Sequence, residues 1–204
     1  MTINLDTTSA DAARQRVLDT VPSDLDAVRQ VRTRQGYLRA HYARSPEDAW
    51  VIDTASSEMA SAPSQDPQHA RIKLGRNDRQ GVDIGVHKAV GGLCDLPNPG
   101  EILCGALAAC TDSTIRMAAA AVNVPIEELS VHVAAKVDTR GTLFVSPDTP
   151  VGFQQMSVRI KLRLAEGTEP RLRDKLLSLA RHCCIVMQTL RHGVPVDARL
   201  EALD

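Results

Sequence analysis

The stretch Asn98–Val122, NPGEILCGALAACTDSTIRMAAAAV, constrains this chain most, because its pattern fits one helix with protein on nearly every side. Asn98 offers a side-chain oxygen to the first turn, and Pro99 sits where a missing N–H costs nothing. Glu101 falls three residues after the cap, the spacing of a reciprocal capping box. Beyond that turn the residues are almost all Ala, Leu, Ile, Met, Cys, Gly and small hydroxyls. A helix that is apolar all round is a buried helix. Asn123 and Pro125 stop it. On helical spacing Cys110 shares a face with Leu103, Ala106, Leu107, Thr114 and Met117, which suits a small core hydrophobe as well as a shielded thiol. Asp112 and Arg116, four apart, can pair, reach the rim or serve a site.

The flanking segments supply strands and two more helical regions. Ser9–Leu18 and Ser23–Tyr42 are Arg-rich, mostly solvent-facing helical stretches broken at Val21-Pro22, with Leu25, Val28, Val31, Leu38 and Tyr42 as a stripe that can dock. The run AWVIDTASSEM (49–59) reads as a first strand, followed by a loop containing Pro63 and Pro67. Residues 70–74 and 81–88 read as two strands around the turn GRNDRQG. In LSVHVAAKV (129–137) and FQQMSVRIKLRL (153–164) apolar and polar residues alternate, so Ser157, Arg159, Lys161 and Arg163 face water. Glu169–His192 reads as a single helix with Pro170 in its first turn and Gly193 and Pro195 as stops. Its seam is Leu172, Leu176, Leu179, Cys183, Met187 and Leu190, with Cys184 beside it. This order gives an α+β fold, an antiparallel sheet packed against two long helices. Residues 1–47 form a helical extension and residues 48–204 the main domain.

A net charge of -1 and only five aromatic residues argue against nucleic acid as a partner. The first residues lack the basic start and apolar run of a secretory leader, and no apolar run reaches a membrane span, so a cytoplasmic protein without a membrane partner is expected. Five cysteines without small-domain spacing do not make a disulfide framework. His182, Cys183 and Cys184 with Cys94 or Cys104 lack zinc spacing, so neither a metal nor a cofactor is expected. Gly91-Gly92 is a turn without a phosphate-loop signature.

The segments GGLCDLPNPGEILCGALAACTDSTIRMAA, VDTRGTL, PVGF and HCCIVMQTLRHGVPV resemble the osmotically inducible protein C (OsmC) and organic hydroperoxide resistance family, from about Trp50 to the C-terminus. QGYLRAHYARSPEDAW resembles the N-terminal extension of its longer subgroup. The resemblance implies an OsmC-like fold, an intertwined homodimer and a thiol-peroxidase site at the subunit interface. Carried onto this chain, Cys110 is the thiolate that attacks an organic hydroperoxide and becomes a sulfenic acid. Cys184 matches the resolving cysteine, because Ile185-Val186 keeps the spacing to Thr189-Leu190 and Gly193-Val194-Pro195, and an external dithiol reopens the disulfide.

The chain departs from the family pattern at three places. The family's glutamate, ten residues before the nucleophile, is here Gly100. Glu101, one residue later, lies about 180° around the helix from Cys110, so capping is its first role and a site role its second. The loop 60–69 lacks the family's arginine, which leaves Arg71, Arg76, Arg79 and Arg116 as substitutes. Cys110 is too far along its helix for the N-terminal dipole to ionise it, so a cation must approach. Ile185 stands where the family has proline. These losses keep open an alternative, a non-catalytic dimer that binds a small lipophilic ligand or serves as a structural or stress protein.

Overall fold

A computed structural model describes residues 8–59, 66–75 and 81–200 of the chain. They form two compact units, each built from separate stretches: Met1–Ile52, Ser113–Glu128 and Arg163–Asp204 in the first, Asp53–Asp112 and Leu129–Leu162 in the second.

The first unit begins with α1 (Thr8–Asp19) and α2 (Ala27–Tyr42). The second helix starts later than the sequence suggested because Asp26 accepts from the Arg29 N–H at 2.9 Å and so becomes its cap. A short 3-10 turn, Pro46–Ala49, follows. The Arg14 guanidinium donates to the carbonyls of Asp48 and Trp50 at 2.6 and 2.8 Å, and His41 Nε2 lies 2.8 Å from Asp48 Oδ2. Both contacts hold α1 and α2 to that turn, which takes Ala49 out of the expected first strand.

The central helix α3 runs Pro99–Ala121. It ends in a Schellman motif: Asn123 is left-handed (φ 57), its N–H donates to Ala120 O at 3.1 Å, and the Val124 N–H donates to Ala119 O at 2.9 Å. The expected single C-terminal helix is two, α4 (Pro170–Cys183) and α5 (Ile185–His192). They are separated at Cys184, which is extended (φ -72, ψ 108). The break leaves the Arg181 carbonyl accepting from the Gln188 side chain instead of from a helical N–H.

In the second unit β1 (Ala55–Met59), β2 (Ala70–Leu74) and β3 (Gly81–Ile84) form an antiparallel sheet in chain order, with Ser57 opposite Ile72 and Ile72 opposite Val82. The turn between β2 and β3 lies mostly outside the described residues. A separate two-stranded sheet pairs β4 (Ile126–Val137) with β5 (Phe153–Leu164). The expected single sheet is therefore two, since each set of strands pairs with its sequence neighbours and α3 intervenes. Alternation is as the sequence suggested: Ser130, His132, Ala134 and Lys136 are exposed on β4, and Ser157, Arg159, Lys161 and Arg163 on β5.

Burial along α3 is one-sided within a single chain. A single stripe, Leu107, Thr111, Ile115 and Ala119, is buried at four-residue intervals, while Gly105, Ala106, Ala109, Arg116 and Met117 are exposed. The other buried apolar residues, Leu176, Ala180 and Cys184, repeat the same interval across α4 and its junction. The helix α3 is also long and apolar enough, by length and composition, to cross a membrane, contrary to the sequence expectation.

Candidate functional site

The start of α3 is fixed from both directions. Asn98 Oδ1 accepts from the N–H groups of Gly100 and Glu101 at 3.0 and 3.2 Å, and Glu101 Oε2 accepts from the Asn98 N–H at 3.0 Å. Glu101 thus performs the capping role anticipated for it. A Cβ at Gly100 would lie 3.0 Å from Phe153 Cζ and 3.1 Å from Asn98 Oδ1, a tight fit in which a larger residue needs the Phe153 ring to yield by a few tenths of an ångström.

Around this turn lies a cleft of about 720 Å³. Val86, Val90, Val133, Val137 and Phe153 make its apolar walls, and Asn98, Glu101 and Cys104 line it from α3. Asn98 is only 5 % exposed, and its Nδ2 has no hydrogen-bond partner among the described residues. Cys104, three residues after Glu101, belongs to the same helix face. That spacing was legible in the sequence and is the signal that would have singled it out.

Cys110 is half-buried on α3, in the second unit, and does not line this cleft. Cys184 is fully buried at the α4–α5 junction, in the first unit, whereas Cys183 beside it is exposed. The expectation that both adjacent cysteines face inward therefore holds for Cys184 alone, because the chain changes direction between them. Of the substitute arginines, Arg71 is engaged across the β2–β3 pair with Asp83 at 2.6 Å, and Arg116 is exposed on α3. Arg76 and Arg79 lie outside the described residues. Among the described residues no group of three His, Cys, Asp or Glu side chains is arranged to hold a metal.

An exposed cluster of charged groups links the segment before β2 to the connection leading into α3. His69 Nδ1 lies 2.7 Å from Asp66 Oδ2 and its Nε2 lies 3.0 Å from Asp95 Oδ2. A protonated imidazole donates from both nitrogens, so the bonds to Asp66 and then Asp95 push the His69 pKa up. The same bonds hold the Asp66 and Asp95 carboxyls below the usual range. On the β4–β5 connection Asp138 is lowered to about 2, chiefly by the Arg140 side chain, whose guanidinium makes bonds of 2.6 and 3.0 Å to it.

Comparison with known proteins adds the following. A family model described as OsmC-like protein matches residues 92–199, just over half of the chain, and this span contains all five cysteines and Glu101. No curated protein matches. Among solved structures, an OsmC-like protein from Mycoplasma pneumoniae is similar with a TM-score of 0.55 at 14% identity, covering 70% of this chain and 89% of that one. An OsmC-like protein of unknown function from Vibrio cholerae gives 0.57 at 11%, covering 69% and 94%. An organic hydroperoxide resistance protein from Legionella pneumophila gives 0.51 at 16%, covering 70% and 91%. At these identities the likeness is one of fold.

Proposed function

The chain belongs to the OsmC-like protein family, and from that premise we propose that it is a cytoplasmic thiol-dependent peroxidase that reduces organic hydroperoxides. The observation that carries this reading is the placement of two shielded thiols, half-buried Cys110 and buried Cys184, inside the family-matching segment. The organic hydroperoxide resistance protein from Legionella pneumophila shares this fold.

In this reading the Cys110 thiolate attacks the terminal peroxide oxygen, the O–O bond breaks, and the alkoxide leaves and takes a proton as the alcohol. The Cys184 thiol then attacks the Cys110 sulfenic sulfur, expelling water and forming a disulfide, which an external dithiol reduces. Glu101 is primarily a capping residue, with a positioning role as its second assignment. The activating cation is sought among Arg71, Arg76, Arg79 and Arg116.

The working form is a homodimer, with residues 1–47 as an extension on each OsmC-like domain (48–204). Two features support pairing. Among the described residues only six apolar side chains are buried, and the exposed side of α3 is largely Gly, Ala and Met. A partner covering that side would make α3 the central buried helix that its composition implies.

One equivalent of cumene hydroperoxide, followed by non-reducing mass spectrometry, tests the proposal. A Cys110–Cys184 disulfide formed within seconds, and formed more slowly with hydrogen peroxide, is the expected result. Thiols left unchanged would overturn it in favour of the non-catalytic ligand-binding dimer.

A further inference from the structure

The cleft at the start of α3 combines Asn98 and Cys104, which the Cys110–Cys184 chemistry does not use, with the capping carboxylate of Glu101. Asn98, a residue only 5 % exposed, carries a buried donor, Nδ2, that has no partner among the described residues. Its orientation is set, because Oδ1 is committed to the Gly100 and Glu101 N–H groups. A buried donor left unmade carries an uncompensated desolvation penalty, so an acceptor presented to it is bound favourably. Cys104 and Glu101 line the same cleft, one helical turn apart. The remaining walls are Val86, Val90, Val133, Val137 and Phe153, and the volume of about 720 Å³ fits a small molecule.

These groups define the ligand's chemistry. The Glu101 carboxylate disfavours an anionic head group, so the acceptor for Asn98 is neutral. The walls call for an apolar tail. A thiol lining the same cleft as the donor calls for a soft electrophilic carbon conjugated to that acceptor. We propose that this cleft is a covalent capture site for apolar α,β-unsaturated aldehydes and ketones, with Cys104 as nucleophile, Asn98 Nδ2 as donor to the carbonyl oxygen and Glu101 as proton carrier.

The step balances without an oxidant or reductant. Glu101 takes the Cys104 thiol proton as the sulfur forms a bond to the β-carbon. The π pair of the carbon–carbon double bond becomes a double bond between the α-carbon and the carbonyl carbon, the carbonyl π pair moves onto oxygen, and that enolate oxygen accepts from Asn98 Nδ2. Glu101 then returns the proton to the α-carbon. The net change is addition of S–H across the double bond, and no group leaves.

The test labels the full chain with trans-2-nonenal, traps adducts with borohydride and maps each cysteine by mass spectrometry. The exposed Cys94 and Cys183 serve as internal references. Cys104 should react about tenfold faster than either, the equivalent of one well-placed hydrogen bond in the transition state. Asn98→Asp keeps an oxygen to cap α3 but removes the donor, and should slow Cys104 about tenfold while leaving the reference rates unchanged. Nonan-2-one, the saturated analogue, should protect Cys104 and not Cys183. If Cys104 reacts no faster than Cys183, or Asn98→Asp leaves its rate unaltered, the proposal falls. Should that variant lose its helical circular dichroism, nonan-2-one protection of the wild-type chain decides, and its absence overturns the proposal.

Discussion

The two helical regions that carry the proposed redox cysteines are built differently. Helix α3 is uninterrupted for 23 residues, opened by the Asn98–Glu101 reciprocal cap and closed by the Asn123 Schellman motif. The α4–α5 region breaks at Cys184, with neither glycine nor proline at the break. Its cost is offset by burial, since Cys184 is fully enclosed and continues the stripe of Leu176 and Ala180. Helix ends can thus be specified by side chains a few residues away, whereas an interior break without a breaker residue reflects where a side chain must go. The thiol on the continuous helix is half-buried, and the one at the break is shut away.

Proline substitution should separate the two regions most sharply. Ala109→Pro, on the exposed side of α3, removes an interior helical bond and should cost about 3 kcal/mol or more. Ile185→Pro places the ring at the first residue of α5, after a residue whose ψ of 108° already suits a following proline. Its effect should stay within about 1 kcal/mol of zero. Chemical denaturation measures both, and equal penalties would mean that residues 170–192 form one continuous helix.

The helix starts offer a finer contrast. Asn98→Ala strips the cap from α3 and should cost about 1 kcal/mol. Glu169 makes no side-chain cap on α4, so Glu169→Ser should stabilise by a few tenths to about 1 kcal/mol. A loss on that substitution would show that α4 begins elsewhere.

The smallest effects are those of pH. Because the His69 pKa is raised on folding, its contribution is fully present below the ordinary value of 6.5 and is lost as pH rises through the folded value. Asp66 and Asp95 are lowered, so their contribution is present above 3.8 and fades as pH falls through their folded values. The clasp is therefore strongest between these ranges. An NMR titration of His69 should give a midpoint above 6.5, and Asp66→Asn should bring it down. Asp138, lowered to about 2 chiefly by Arg140, contributes above 3.8 and loses that contribution as pH drops toward 2. Arg140→Gln should abolish that part of the acid dependence.

Much of the architecture was legible residue by residue. The capping box at Asn98 and Glu101 and the two-residue alternation in β4 and β5 are short-range patterns, and the structure bears them out. Asp26 was missed as the start of α2 because Ser23 and Asp24 offer equally plausible capping oxygens nearby. The candidate site was less legible. Cys104 and Cys110 share one helix and nothing local separates them, and only the opposing walls from β4 and Phe153 distinguish Cys104 as a residue that lines a cleft. Asn98 was read as a cap, yet its other amide atom acquires meaning only once burial removes its access to water.

What this sequence determined by itself is what acts over a few residues: the start and stop of α3, the faces of the long strands and the motif spacing that marks its family. The tertiary structure alone decided that the five strands among the described residues divide into two sheets, that the last helix breaks at a buried cysteine, and which side of α3 is enclosed. The reason is one of range: a cap or a period of two is satisfied by neighbours in the chain, but pairing and burial are settled by residues brought from far along it.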